Sequence, residues 1–152
     1  MNEDRDYWSN LSWPAAPNQE DYEMYESLIE HPRVLLLGST KLLLPLCTEA
    51  WDQNPLYDDP KIITRDWLTL DTHFDTIISD GGAFNFTEEL GLQVFDLCRN
   101  NCRRLIARVF YQPSWQPKYA RWFPNPEDFP VKPTLEIKDH MPIYRFYVWD
   151  FR

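Results

Sequence analysis

At 152 residues, with 15 Lys and Arg against 24 Asp and Glu, the chain is the size of one domain and carries a net charge of -9. Such a length buries a core without disulfides or metals as staples. The isoelectric point near 4.7 is opposite in sign to what a phosphate backbone attracts, so nucleic acid is not an expected partner. There is no apolar run of about 18 residues, and the opening Met1-Asn2-Glu3-Asp4-Arg5-Asp6 is polar and acidic. Neither a membrane span nor a signal peptide is read, and a cytoplasmic location is expected. Cys47, Cys98 and Cys102 form an odd set with no CxxC pair, which reads as small core hydrophobes rather than a disulfide framework.

In chain order, residues 1–17 hold Tyr7, Trp8 and Trp13 without periodicity, and Pro14 and Pro17 forbid a helix through them. They read as an aromatic arm on a single domain spanning 18–152. Asn18 stands where an N-cap belongs, with Glu20 and Asp21 in the first turn and Tyr22, Tyr25, Leu28 and Ile29 on one face, predicting a helix over 19–30. Val34-Leu35-Leu36-Leu37-Gly38 has the pattern of a strand buried on both faces. About two helical turns fit between Thr40 and Cys47, a brief second strand covers 50–52, a turn of helix fits in 54–60, and 61–67 reads as a third strand ending at Asp66. Phe74 to Asp80 is a fourth strand, followed by Gly81-Gly82; Thr87 caps a helix running to about Asn101; 104–111 is a fifth strand. Seven of the 13 prolines fall between Pro113 and Pro142, so that stretch is expected to be irregular, with at most a short helix at 118–122. Two alternating segments, 134–138 and 144–149, close the chain as an antiparallel pair.

Strands alternating with helices predict an α/β fold: a Rossmann-like, mainly parallel sheet covered by helices, with that antiparallel pair at its C-terminal end. Ligands of such sheets bind outside the carboxyl ends of the strands. Gly38, Asp52, Asp66 and Asp80-Gly81-Gly82 fall at four successive strand ends. Taken alone, Gly38-Ser39-Thr40 fits a tight turn as well as a nucleoside loop, and each Asp fits a helix cap as well as a ligand site.

Together, Val34-Leu35-Leu36-Leu37-Gly38-Ser39-Thr40, Trp51-Asp52-Gln53-Asn54-Pro55, Arg65-Asp66-Trp67-Leu68 and Phe74 to Gly82 resemble the class I S-adenosylmethionine-dependent methyltransferases over residues 7–111. The resemblance implies S-adenosylmethionine as cofactor. The loop of Gly38, Ser39 and Thr40 would lie at its methionine part, Asp52 with Gln53 at the ribose, Asp66 with Trp67 at the adenine, and Asp80 with Gly81 beside the sulfonium and the acceptor. In this chain three leucines precede Gly38 and no further glycine follows it, and the crossover segments around Asp52 are short.

Methyl transfer needs an aligned acceptor and, where the acceptor loses a proton, a base. The candidates are His140, preceded by Asp139 that could orient its ring, Tyr7, and Asp80 at the strand tip; Trp8, Arg108 and Tyr111 are candidate acceptor contacts. Arg108 lies within an apolar strand, where it must either pair with an acid such as Asp80 or meet a substrate carboxylate. The expected partner is a small molecule; O- or N-methylation, another reaction of the cofactor, and a binding role without turnover all remain open. No metal is called for. Short crossover segments leave apolar surface to hide, predicting a homodimer across the sheet face or through 144–149, with the arm as the other available cover.

Overall fold

In the computed structural model the described residues are 17–55, 57–111, 120–140 and 142–151. Helix α1 (Gln19–Leu28) opens with a capping box in which the Asn18 side chain accepts from the Asp21 amide and Asp21 accepts from the Asn18 amide. Strands β1 (Val34–Leu37), β2 (Glu49–Trp51), β3 (Ile62–Ile63), β4 (Phe74–Asp80), β5 (Cys102–Phe110), β6 (Leu135–Lys138) and β7 (Tyr144–Asp150) form one seven-stranded sheet in the order β3-β2-β1-β4-β5-β7-β6. The first five are parallel, whereas β7 runs antiparallel to both β5 and β6. Helices α2 (Ala83–Phe86) and α3 (Glu88–Asn101) follow β4, with Thr87 capping α3 at the Leu90 amide.

One face of the sheet packs Val34, Leu36, Ile78, Ile106, Phe146 and Val148 under Tyr25 of α1 and under Leu43 and Leu44. The opposite face carries Leu35, Ile77, Leu105 and Trp149 against Val94, Phe95 and Cys98 of α3. Ahead of β6, the described residues 120–134 hold one short 3-10 turn, Pro126–Asp128, and supply Phe129. Its ring centroid lies 4.8 Å from that of Trp149 and 5.3 Å from those of Phe95 and Trp122. Tilted and edge-to-face rings thus cover this part of the sheet. The three cysteines are free and buried, and burial pushes the Cys47 and Cys102 thiols up to about 12.

Several expectations need correction. The segment Lys41–Leu46 is a 3-10 helix around Pro45, and 54–60 holds no helix among its described residues. The third strand stops at Ile63; Asp66 instead caps a 3-10 turn, Trp67–Thr69, by accepting from the Leu68 amide. A charged, β-branched segment with no full strand beyond it has little to hold it in the ladder. Residues 120–122 hold no helix, within the expected limit of at most a short one at 118–122, and a short 3-10 turn lies at Pro126–Asp128. The segment named as a dimer edge, β7, is interior, and the outer strands are β3 and β6. The arm with Tyr7, Trp8 and Trp13 lies outside the described residues. No described helix is long and apolar enough to cross a membrane.

Candidate functional site

The parallel strands bring Gly38, Asp52 and Asp80 to one edge of the sheet. Gly38 leaves β1 with φ of +134°, its amide donating to the Trp51 carbonyl, and a Cβ built on it would meet nothing within 4 Å. The backbone there lies open to close approach by a ligand. Ser39 is buried and donates to Oδ2 of Asp52 at 2.5 Å, while Oδ1 of Asp52 accepts from the Asn54 amide at 2.9 Å. The carboxylate at the tip of β2 is thereby fixed in place, each oxygen keeping a lone pair to offer. Tyr57 completes this corner by donating to the Ser39 carbonyl at 2.7 Å, and burial, aided by Asp59 and Asp52, pushes its hydroxyl up to about 12. Thr40 caps the 3-10 helix through its backbone alone, and Gln53 is exposed in the turn after β2.

Trp67 donates its indole N–H to the Trp51 carbonyl at 2.7 Å, and its Cη2 lies 3.6 Å from where a Gly82 Cβ would stand. The β3–β4 connection is thus tied to the tip of β4. Gly81 and Gly82 take φ of +68° and +55°, and the Gly81 amide donates to the Arg108 carbonyl at 2.7 Å. Two consecutive left-handed residues let the chain turn sharply from β4 into α2. Asp66 is half-buried, its side chain committed to the cap described above.

Asp80 belongs to a buried cluster that sequence reasoning foresaw only in part. Arg108 lies opposite Asp80 in the β4–β5 register and is fully buried. Its guanidinium reaches Asp139 at 3.0 Å, Asp80 at 3.3 Å and Asp21 at 3.3 Å, and stacks 3.6 Å from the Tyr144 ring centroid. Asp80 also accepts from the Tyr25 hydroxyl at 2.6 Å. Of the two readings open for Arg108, the pairing with Asp80 is present, with the side chain fully buried among three carboxylates. Tyr111 follows β5 and accepts from Arg145 at 3.3 Å.

His140 lies after β6, its Nδ1 3.0 Å from Asp139 and 3.4 Å from Asp21 and its Nε2 3.0 Å from the side-chain Nδ2 of Asn18. Asp139 therefore stands where a ring-orienting acid should. Burial and a hydrogen bond with Asp139 push Asp21 up to about 7 against the pull of Arg108. Asp139 is held below its ordinary value, because the Asp21 hydrogen bond and Arg108 outweigh its burial. Burial raises Asp80 despite Arg108 and Tyr25. Asp21 and Tyr25 were read as cap and core positions; the only sequence signal of a second role was an acid in a first turn whose helix must pack beside a buried arginine.

No family model matches the sequence, and no curated protein does. Solved structures match in shape. Magnesium protoporphyrin IX methyltransferase from Synechocystis PCC 6803 with bound SAM superposes with a TM-score of 0.61 at 14% identity, over 97% of this chain and 94% of that one. CalO1, a methyltransferase in calicheamicin biosynthesis solved in its SAH-bound form, gives 0.59 at 12% identity over 85% of this chain, which spans only 52% of CalO1. A putative RNA methyltransferase, PH1948 from Pyrococcus horikoshii, gives 0.56 at 16% identity over 99% and 98%. With the strand order, the antiparallel β7 and the open strand edge, these likenesses make the fold that of the class I S-adenosylmethionine-dependent methyltransferases.

Proposed function

We propose that the chain binds S-adenosylmethionine along the carboxyl ends of β1, β2 and β4 and methylates a small-molecule acceptor. The observation that carries this reading is the convergence, in the methyltransferase strand order, of an open positive-φ glycine after β1, a fixed carboxylate after β2 and the Asp80-Gly81-Gly82 turn after β4. The residues fit the cofactor. Gly38 leaves the space that a Cβ would narrow, Asp52 offers lone pairs to two ribose hydroxyls, and Asp66 and Trp67 lie on the β3–β4 connection beside the site. When bound, S-adenosylmethionine supplies a methyl group on a sulfonium leaving group.

The protein's share of such an in-line displacement is alignment and exclusion of water. Asp80, buried and held by Tyr25 and Arg108, gives the strand tip a fixed negative field, which favours a neutral or cationic acceptor, in keeping with the net charge of -9. His140, with Asp139 on Nδ1, is the candidate group for an acceptor proton, and its Nε2 becomes available where the Asn18 amide gives way. The test is turnover with methyl-labelled S-adenosylmethionine over a panel of small phenols, amines and carboxylates. Labelled acceptor with S-adenosylhomocysteine supports the reading; a cleaved or cyclised cofactor, or tight binding with no product, would replace it with one of the other two readings of the fold.

A further inference from the structure

The geometry points to a proton-operated clamp: one proton held between Asp21 and Asp139 locks the N-terminal end of α1 onto the ends of β4, β5 and β6, and its loss releases that end of the helix.

Fully ionised, Asp21, Asp80 and Asp139 set three negative charges around the single guanidinium of Arg108, with side-chain exposures of 0%, 7% and 3% for the acids and 0% for the arginine. A buried excess of that kind is costly unless something neutral or positive joins it. Among the described residues, the other groups facing Asp21 are Glu20 on its own helix, Tyr25 one turn on, Tyr144 of β7 stacked on Arg108, and His140 after β6. None of these brings a further fixed positive charge.

Hydrogen bonding locates the proton. Asp80 is served by Tyr25 and Arg108, and Asp139 by Arg108 on Oδ2 and His140 on Oδ1. Asp21 Oδ2 accepts from the Asn18 amide and pairs with Arg108. Its Oδ1 is buried with no hydrogen bond among the described residues, aimed at the space it shares with Asp139 and His140. A hydrogen on Oδ1 donated to Asp139 satisfies that atom and removes one charge.

Asn18 decides what His140 can contribute. Its Oδ1 is committed to the Asp21 amide in the capping box, so its NH2 faces His140 Nε2. Nε2 must accept, and Nδ1 therefore carries the ring hydrogen toward the two carboxylates. The same tautomer argues against a metal ion: Asp21, Asp139 and His140 have ligand atoms within 4.8 Å of one another, yet Nδ1 has no free lone pair and Arg108 lies against both acids.

The first turn of α1 meets the shared proton through Asn18 and Asp21, while Tyr25, one turn on, stays bonded to Asp80 and does not touch the Asp21–Asp139 pair. The other end of the helix is tied elsewhere, the Leu28 carbonyl to Arg104 and the Glu30 backbone to Thr76. Release would thus swing Asn18 and the first turn away from the tip of β4 about an anchored C-terminal end. The raised Asp21 carboxyl gives the direction: the clamped state binds more protons than the released one, so clamping is complete at low pH and is lost as pH rises through about 7.

Hydrogen exchange on the full chain, corrected for the intrinsic pH dependence, reads this directly. Protection of the first turns of α1 should fall by about tenfold between pH 6 and pH 8, the factor by which a group titrating near 7 loses its proton. Asp21→Asn mimics the protonated carboxyl, so its protection should stay flat and its melting temperature at pH 8 should exceed that of the wild type. Asp139→Asn places the neutral group on the other acid and should flatten the profile equally, which covers a failure of the first variant to fold. Parallel pH profiles in wild type and both variants would overturn the clamp. So would stabilisation of the wild type at pH 8 by millimolar Zn2+ or Mg2+ that the Asn variants lack, since the cluster would then be taking a metal ion.

Discussion

Trp122 packs directly on Gly91 in the first turn of α3: a Cβ at Gly91 would stand 2.3 Å from Cζ3 and 2.6 Å from Cε3 of the indole. The segment that carries Trp122 lies this close to α3 because the helix has no side chain at that point. Gly91→Ala gains about 1 kcal/mol of helix propensity but forces out a ring of the aromatic cover, an overpacking loss of about 1–3 kcal/mol. Urea unfolding should show a lowered midpoint for Gly91→Ala. In a Trp122→Ala background the same change should become neutral or stabilising; a stabilising effect in the wild type would mean that the indole is not seated there.

Asn85 is the second device holding that cover. Its buried side chain donates to the Phe110 and Trp122 carbonyls and accepts from the Phe110 amide. Asn85→Ala leaves up to three backbone groups unsatisfied at about 1–3 kcal/mol each, so it should destabilise far more than its volume suggests. Asn85→Asp keeps the acceptor but sets a carboxylate oxygen against the two carbonyls, so it should destabilise at least as much as Asn85→Ala. Equal midpoints for Asn85→Ala and wild type in denaturant would contradict this role.

How much of this was legible in the sequence differs by element. Asn18, Thr87 and the Val34–Leu37 and Phe74–Asp80 strands announce themselves through local chemistry, a cap or a buried β-branched run, and the structure places them where that chemistry predicts. The acids at Asp52 and Asp80 were legible because strand ends are set by the same local patterns. Asp66 was misplaced because a two-residue strand leaves almost no periodicity to read. The Asp21–Arg108–Asp139 cluster joins residues 31 to 118 positions apart on a helix, a strand and a strand end, and spacing along the chain carries no trace of it. Nothing local to Gly91 in the sequence announces the Trp122 indole that packs on it, since the two are brought together by the fold.

Asp66→Asn separates capping from adenine recognition. Asn caps as well as Asp, so the 3-10 turn at Trp67–Thr69 should persist and the melting temperature should hold. If Asp66 accepts from the adenine amino group, affinity for S-adenosylhomocysteine should fall while affinity for its inosyl analogue does not. Wild type that does not distinguish the two ligands would remove Asp66 from the site.

Ser39 positions the carboxylate that the account assigns to the ribose. Ser39→Ala deletes the 2.5 Å bond to Asp52 and frees the side chain to turn, so cofactor affinity should weaken by about threefold, or ~0.6 kcal/mol. Tighter binding would mean instead that the serine hydroxyl competes with the ligand.

The most direct measurement is calorimetric titration of the full chain with S-adenosylhomocysteine, beside Asp52→Ala. Two ribose hydroxyls bonded to a carboxylate contribute roughly 1.5–3 kcal/mol each. The account therefore predicts micromolar binding by the wild type and a loss of at least about tenfold in the variant. Equal affinity in the two proteins would remove Asp52 from the site, and a wild type that binds neither S-adenosylhomocysteine nor S-adenosylmethionine would contradict the proposed function outright.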